Sequence, residues 1–500
     1  MSTESDHNAK PAPRGLALIG PGLLVAATGV GAGDLATGAL AGARLGTAVL
    51  WAVLLGAFIK FVLTEGLARW QLATDSTILE GTRKHFGSVT IWLFLAYLCV
   101  WSFLVGGALM SACGIAAHAI FDLTGDATRD KQVYGIIHSG LAVVLVCIGG
   151  YRLFEKAMRI CIGVMFATVL VAAVAVKPDW GAVLSGLVVP VIPELNGPGL
   201  KWTIGLMGGV GGTVTVLCYG YWIREENRRG LGELKTCRID LMAGYLVTAV
   251  FGLCMVILGS ELSIDEGSKG ARLIVALGDN LHDAIGGGFG TTAKWAFLLG
   301  AWGAIASSML GVWQSVPYLF ADCWRLTRKG GSADSKDDAD IPPERHPIYR
   351  RSLIAIAIFP AALLFVDFTK VQLTYAIVGA VIMPLLALAL LCLNGTDSKI
   401  GAQAKNSKAT TVVLALILAL FVWAGVYQIR DKLTAPAKKE PPPAAATERV
   451  QNDFLMSHLN IHSNPTRKRG DRTNCAVASL TRRVTMRLKS GSGFGRVPTS

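Results

Sequence analysis

GVGAGD, Gly29 to Asp34, interrupts an apolar stretch that runs from Leu16 to about Leu45. Each helical glycine costs roughly 1 kcal/mol relative to alanine. A carboxylate inside hydrocarbon costs at least about 3 kcal/mol more. A chain that accepts both in one stretch is expected to bind something there, so the break marks a candidate substrate site. A dinucleotide-binding reading of GVGAG is excluded, because that fingerprint needs a preceding strand and this cluster lies within a membrane-length apolar run.

The surrounding composition sets the class. The 500 residues are 52% hydrophobic and 16% charged, with a mean hydropathy of +0.49. Apolar runs of bilayer-crossing length recur along the chain, which predicts an all-α polytopic membrane protein. The runs lie near 16–45, 47–68, 90–121, 133–151 and 158–176, then near 200–222, 240–262, 293–322, 352–368, 371–393 and 410–429. That gives eleven spans. Residues 1–15 are polar, and the first run is too long and glycine-rich for the apolar core of a signal peptide.

Charge is unevenly placed. Of the net +13, the segment from Arg430 onward carries 14 Lys+Arg against 5 Asp+Glu, which leaves +4 for the rest. The body is therefore not a polyanion binder, and no nucleic-acid partner is expected. The tail, 431–500, opens on AKKEPPPAAA (Ala437–Ala446) and reads as a disordered basic extension. Residues 325–351 read as a flexible connector. With the N-terminus cytoplasmic, the cytoplasmic segments hold 23 Lys+Arg and the opposite loops 9. The positive-inside bias thus predicts a cytoplasmic N-terminal segment, 1–15, and residence in the cytoplasmic membrane, with the lipid bilayer as partner. Of ten cysteines, Cys99, Cys113, Cys147, Cys161, Cys218, Cys254 and Cys392 fall in apolar runs and none forms a CxxC pair. Neither a disulfide framework nor a zinc site is expected.

A second interruption, GGVGGT (Gly208–Thr213), lies inside the sixth span. Spans one and six each open a set of five, and because five is odd the two sets have opposite orientation. Glycine-interrupted helices at matching positions of two halves point to an inverted repeat with a site near the membrane midplane. The freed backbone groups there need partners from substrate, water or other helices. Small residues also serve close helix packing, and Gly106, Gly107, Ser111 and Gly114 of the third span are read that way. The matched positions and Asp34 favour a site for the two breaks.

The segment Gly20 to Gly46, with GPG at Gly20–Gly22, LAT at Leu35–Thr37 and AGARLG at Ala41–Gly46, resembles the first helix of the Nramp family of divalent metal transporters. LARW (Leu67–Trp70) and the GGT of span six also fit, and the resemblance extends over about 16–430. It implies a LeuT-type 5+5 inverted repeat (16–176 and 200–393) plus an eleventh helix (410–429), helices one and six broken, and transport by alternating access. The family's Asp-Pro-Gly-Asn motif is replaced here by Gly31, Ala32, Gly33 and Asp34, with the acid where the family has asparagine. Its Met-Pro-His aligns with Thr215, Val216 and Leu217. The carboxylates that the family places in helix three are missing from Val89–Phe121.

These departures have chemical consequences. Losing the thioether and keeping oxygen ligands suits harder cations such as Mn²⁺ or Mg²⁺. The expected ligands are Asp34, Thr215 and backbone carbonyls near Thr28, Gly31 and Gly212, with the cation as transported substrate, no cofactor and no proton route. Span two adds intramembrane charges: Lys60 near its middle, and Glu65, which can pair with Arg69 at i, i+4. A Lys60 ammonium facing Asp34 would partly neutralise the site and stand in for a bound cation. It therefore keeps open a transporter of an organic solute such as an amino acid, held by half-helix N-termini. A non-transporting membrane sensor on the same fold is the other alternative. An enzyme is not expected, since His118 and His138 lack an acid or nucleophile at recognisable spacing.

Overall fold

The computed structural model describes residues 20–195, 197–261, 273–328 and 346–434, which fall in one unit, Met1–Thr434. The N-terminal segment 1–15, most of the 325–351 connector and nearly all of the 431–500 tail lie outside the described residues. The described residues form helices and turns, with no strand among them. Nine described helical segments are long and apolar enough to cross a bilayer, or ten if Met165–Ala175 and Trp180–Val188, bent by 118°, form one span.

The first span covers 21–45. It ends where Gly46 adopts φ +67, and a short 3-10 turn, Gly46–Val49, leads into the second, Leu50–Thr74. The third is Ser88–Ile120, and the sixth, Gly199–Glu225, is broken. Leu234–Ser260, Gly287–Thr327, Pro347–Phe365, Phe368–Asn394 and Lys408–Thr434 complete the series. The sixth is the most enclosed. Its apolar window is wholly buried, against 33% for the third span and 22% for the eleventh. The outer face of the third span, with Val89, Trp92, Leu93 and Val100, is exposed as a lipid-facing surface would be.

One expectation changes form. The fourth and fifth runs, expected as 133–151 and 158–176, lie in a single helical segment, Ala127–Ala175. The segment does not run straight: the Trp302 indole donates to His138 at 2.7 Å and a Cβ on Gly300 would lie 3.5 Å from the Met165 Cα, so positions 27 residues apart lie against the same turn of Gly287–Thr327 and the fourth and fifth runs fold back on each other. The charges at Arg152, Glu155 and Lys156 suggest a loop, but from Tyr151 to Ile162 the sequence has no glycine or proline to stop a helix.

Small residues let the first and seventh spans approach closely. A Cβ on Gly259 would lie 2.7 Å from the Ala39 Cα, and one on Gly42 would strike the Val256 carbonyl. The third-span glycines behave as expected: Gly106 meets Pro360, Gly107 meets Leu363 and Gly114 meets Lys131.

At the end of the bundle holding the start of the first span, carboxylates tie the elements together. Asp240 is fully buried and accepts from the Gly20 and Gly22 amides at 3.1 and 2.9 Å, the Tyr219 hydroxyl at 3.0 Å and Arg228 at 3.1 Å. Glu65 pairs with Arg69 at 3.2 Å, as its spacing suggests, and also with Arg238 at 2.7 Å. The short helix Ile78–Phe86 begins on a capping box between Thr77 and Glu80. The Thr77 hydroxyl also donates to Asp322 at 2.9 Å, and Arg325 bridges Asp322 and Glu80. Overpacking of this kind typically costs about 1–3 kcal/mol, so Gly42→Val and Gly259→Val are each expected to lower the melting temperature of the detergent-purified protein. An unchanged melting curve would contradict the close approach.

Candidate functional site

The two glycine interruptions meet, but they take different forms. In the first span, Val30–Thr37 is a π-helix and the chain is not unwound. Its glycines serve contact: a Cβ on Gly29 would be 2.6 Å from the Gly211 carbonyl carbon, and one on Gly33 would be 2.5 Å from the Gly209 oxygen. A π turn opens the helix by one residue and is a frequent mark of functional sites. In the sixth span the helix does stop. Gly199–Gly209 ends at Val210, with ψ 125, and Gly211 and Gly212 follow at φ +74 and +85. Only glycine adopts that backbone pair without strain. A 3-10 turn, Val214–Cys218, then leads back into helix at Tyr219.

The break frees backbone groups, and two charged side chains of other elements take them up. The Gly211 amide donates to Asp34 Oδ1 at 2.8 Å. Lys60 Nζ donates to the Gly208 carbonyl at 2.7 Å and also to the Val210 carbonyl. Both side chains are fully buried, and they are close enough to interact electrostatically. The second carboxylate oxygen of Asp34, Oδ2, is buried and has no hydrogen-bond partner among the described residues. A lone buried carboxylate oxygen is costly to desolvate. It is the acceptor this site has available for a cation.

The surrounding polar groups fix the geometry. Trp101 Nε1 donates to Thr213 Oγ1 at 2.8 Å, and Thr64 bonds the Tyr245 hydroxyl at 2.7 Å. Ser308 Oγ donates to the Thr28 carbonyl at 2.5 Å. Tyr245 and Tyr375 both stand within electrostatic reach of Asp34.

The expected site residues fare unevenly. Asp34 is at the junction. Gly212 packs beside Gly29, and a Cβ on it would lie 2.6 Å from Thr215 Oγ1, so Gly212 and Thr215 belong to one turn. The Thr28 carbonyl is already engaged by Ser308. Gly31 faces the Ser308 side chain, with a Cβ there falling 2.7 Å from its Oγ. Glu65 belongs to the ion-pair network described above and Lys60 to the break itself. Trp101, Tyr245 and Ser308 had no sequence signal, since each sits in an ordinary apolar or small-residue run. The two histidines are held structurally: His118 pairs with Asp130 at 2.8 Å, and His138 Nε2 accepts from Trp302 at 2.7 Å.

A family profile described as natural resistance-associated macrophage protein-like matches residues 22–431. The chain belongs to that family. Among curated relatives, a divalent metal cation transporter MntH from Chromohalobacter salexigens is 22% identical over 260 residues, covering 49% of this chain and 57% of that protein. Its namesake from Bacillus subtilis is 24% identical over 266 residues, 50% of this chain and 59% of its own. The matched segment thus spans a little over half the length of these relatives. A mutant form of the Eremococcus coleocola manganese transporter superposes with a TM-score of 0.63 at 17% identity, covering 91% of this chain and 95% of its own. MhsT in complex with L-phenylalanine gives 0.53 at 14%, covering 83% and 98%. The fold is therefore the LeuT-type arrangement of this Nramp family member.

Removing one partner from a buried charge set costs about 3–5 kcal/mol, because the other charge is stranded. Asp34→Ala and Lys60→Met are each expected to destabilise the purified protein. The double variant should lose clearly less than the two effects summed, as coupled neighbours do. Additive losses in thermal unfolding would show that the two charges do not act together.

Proposed function

We propose that the protein is a membrane transporter of a divalent cation of the Mn²⁺ or Mg²⁺ class, working by alternating access. The observation that carries this reading is Asp34: a wholly buried carboxylate at the junction of two helix interruptions, with one oxygen fixed by the Gly211 amide and the other unpartnered. Similarity to the divalent metal cation transporters MntH supports it. The transporter domain is taken as 16–430, with repeats 16–176 and 200–393, an added helix at 410–429 and the tail 431–500 outside it. The arginine and lysine bias supports a cytoplasmic N-terminus in the cytoplasmic membrane.

Asp34, the Thr215 hydroxyl and backbone oxygens of the break, with Thr28, Gly31 and Gly212 around them, form the proposed ligand region. An all-oxygen donor set favours harder divalent ions over soft thiophilic ones. Ser88–Ile120 contains no Asp or Glu, which supports cation movement without a proton route through the third span. An organic-anion site is less well supported, since the Gly211 amide that would receive a substrate carboxylate is already bonded to Asp34.

In proteoliposomes, Mn²⁺ and Mg²⁺ uptake is expected at every pH tested, with no accompanying proton entry, and Asp34→Ala is expected to lower it at least tenfold. Metal-driven acidification of the lumen would overturn the uncoupled mechanism. Full transport by Asp34→Ala would overturn the site.

A further inference from the structure

The mechanism above leaves one group at the site without a role: Lys60. A buried ammonium in the middle of a membrane span is expensive unless it is fully bonded and neutralised. Here it projects from the second span into the break of the sixth. It donates to the Gly208 and Val210 carbonyls, oxygens that helix continuation would otherwise have claimed. These are the backbone oxygens a transported cation would meet, a few residues from the Gly211 amide that holds Asp34. The span-six turn thus offers a small cage of carbonyls, a carboxylate and a hydroxyl, and a positive charge already sits in it. Asp34 and Lys60 together are neutral. A divalent ion entering beside a resident ammonium would leave a net charge of two in a site closed to water. Once the ammonium has withdrawn, the net charge on the cage is one.

We propose that Lys60 is a tethered cation that shares the Gly208 and Val210 carbonyls and the Asp34 charge with the transported ion, so that ammonium and metal occupy the cage in alternation. This rests on the divalent-cation reading of the site. Lys60 then sets the affinity: with no ion bound it holds the break of the sixth span in shape, and an incoming ion must displace it. A purely structural lysine would fill the same carbonyls in every state and would not compete.

The test measures Mn²⁺ binding by isothermal titration to purified wild type, Lys60→Met, Lys60→Gln and Lys60→Ala. Lys60→Gln retains a donor for the carbonyls without the charge, which guards against loss of the fold in the apolar variant. Both Lys60→Met and Lys60→Gln are expected to bind Mn²⁺ at least tenfold more tightly than wild type. Propylammonium is expected to weaken Mn²⁺ binding to Lys60→Ala at least tenfold and to leave wild type unchanged. Equal or weaker binding by both charge-free variants, with wild type still binding, overturns the shared cage and leaves the transport reading standing. Tighter binding without propylammonium competition in Lys60→Ala also overturns it, since the gain would then come from packing. No Mn²⁺ or Mg²⁺ binding by any form overturns both the cage and the divalent-cation reading.

Discussion

The structure depends on how the break in the sixth span is satisfied. Stopping a helix inside a membrane leaves amides and carbonyls that lipid cannot accommodate. This chain answers with two side chains from other elements. Asp34 of the first span takes the Gly211 amide, and Lys60 of the second takes the Gly208 and Val210 carbonyls. The two charges offset one another, so each makes the other tolerable in a buried position. The break, the carboxylate and the lysine are one unit, and removing any member exposes the cost of the remaining two.

Glycine spacing makes that unit possible. Gly29 and Gly33 let the first span lie against residues 209–212 with no side chain between. Gly42 and Gly259 extend the same closeness toward the other end of the first span. At the opposite end Asp240 gathers the Gly20 and Gly22 amides, Tyr219 and Arg228, joining the first, sixth and seventh spans. Held at both ends and pressed against the break at its centre, the first span places Asp34 with little freedom.

Much of this was legible in sequence because membranes impose few solutions. Apolar run length and the matched glycine breaks are enough for a helical inverted repeat, and the two interruptions they single out do meet. Other features were not legible. The first break is a π-helix, because its glycines answer to approaching backbone from residues 209–212, and a sequence shows only the glycines. The fourth and fifth runs are joined by helical residues and not by a loop, since the charges between them do not by themselves end a helix. Lys60 was visible as an intramembrane charge facing a choice of partners, but its carbonyl partners exist only once the sixth span has opened. Trp101 and Ser308 reach the site through tertiary contacts that no local pattern announces.

The central claim is that the substrate cation is held where Asp34 meets the break of the sixth span. Anomalous diffraction at the manganese edge from Mn²⁺-soaked crystals of the full chain tests it most directly. The account predicts a peak within coordinating distance of Asp34 Oδ2 and the 208–213 turn, absent in Asp34→Ala. A strong peak elsewhere in the bundle, unchanged by that substitution, would contradict it.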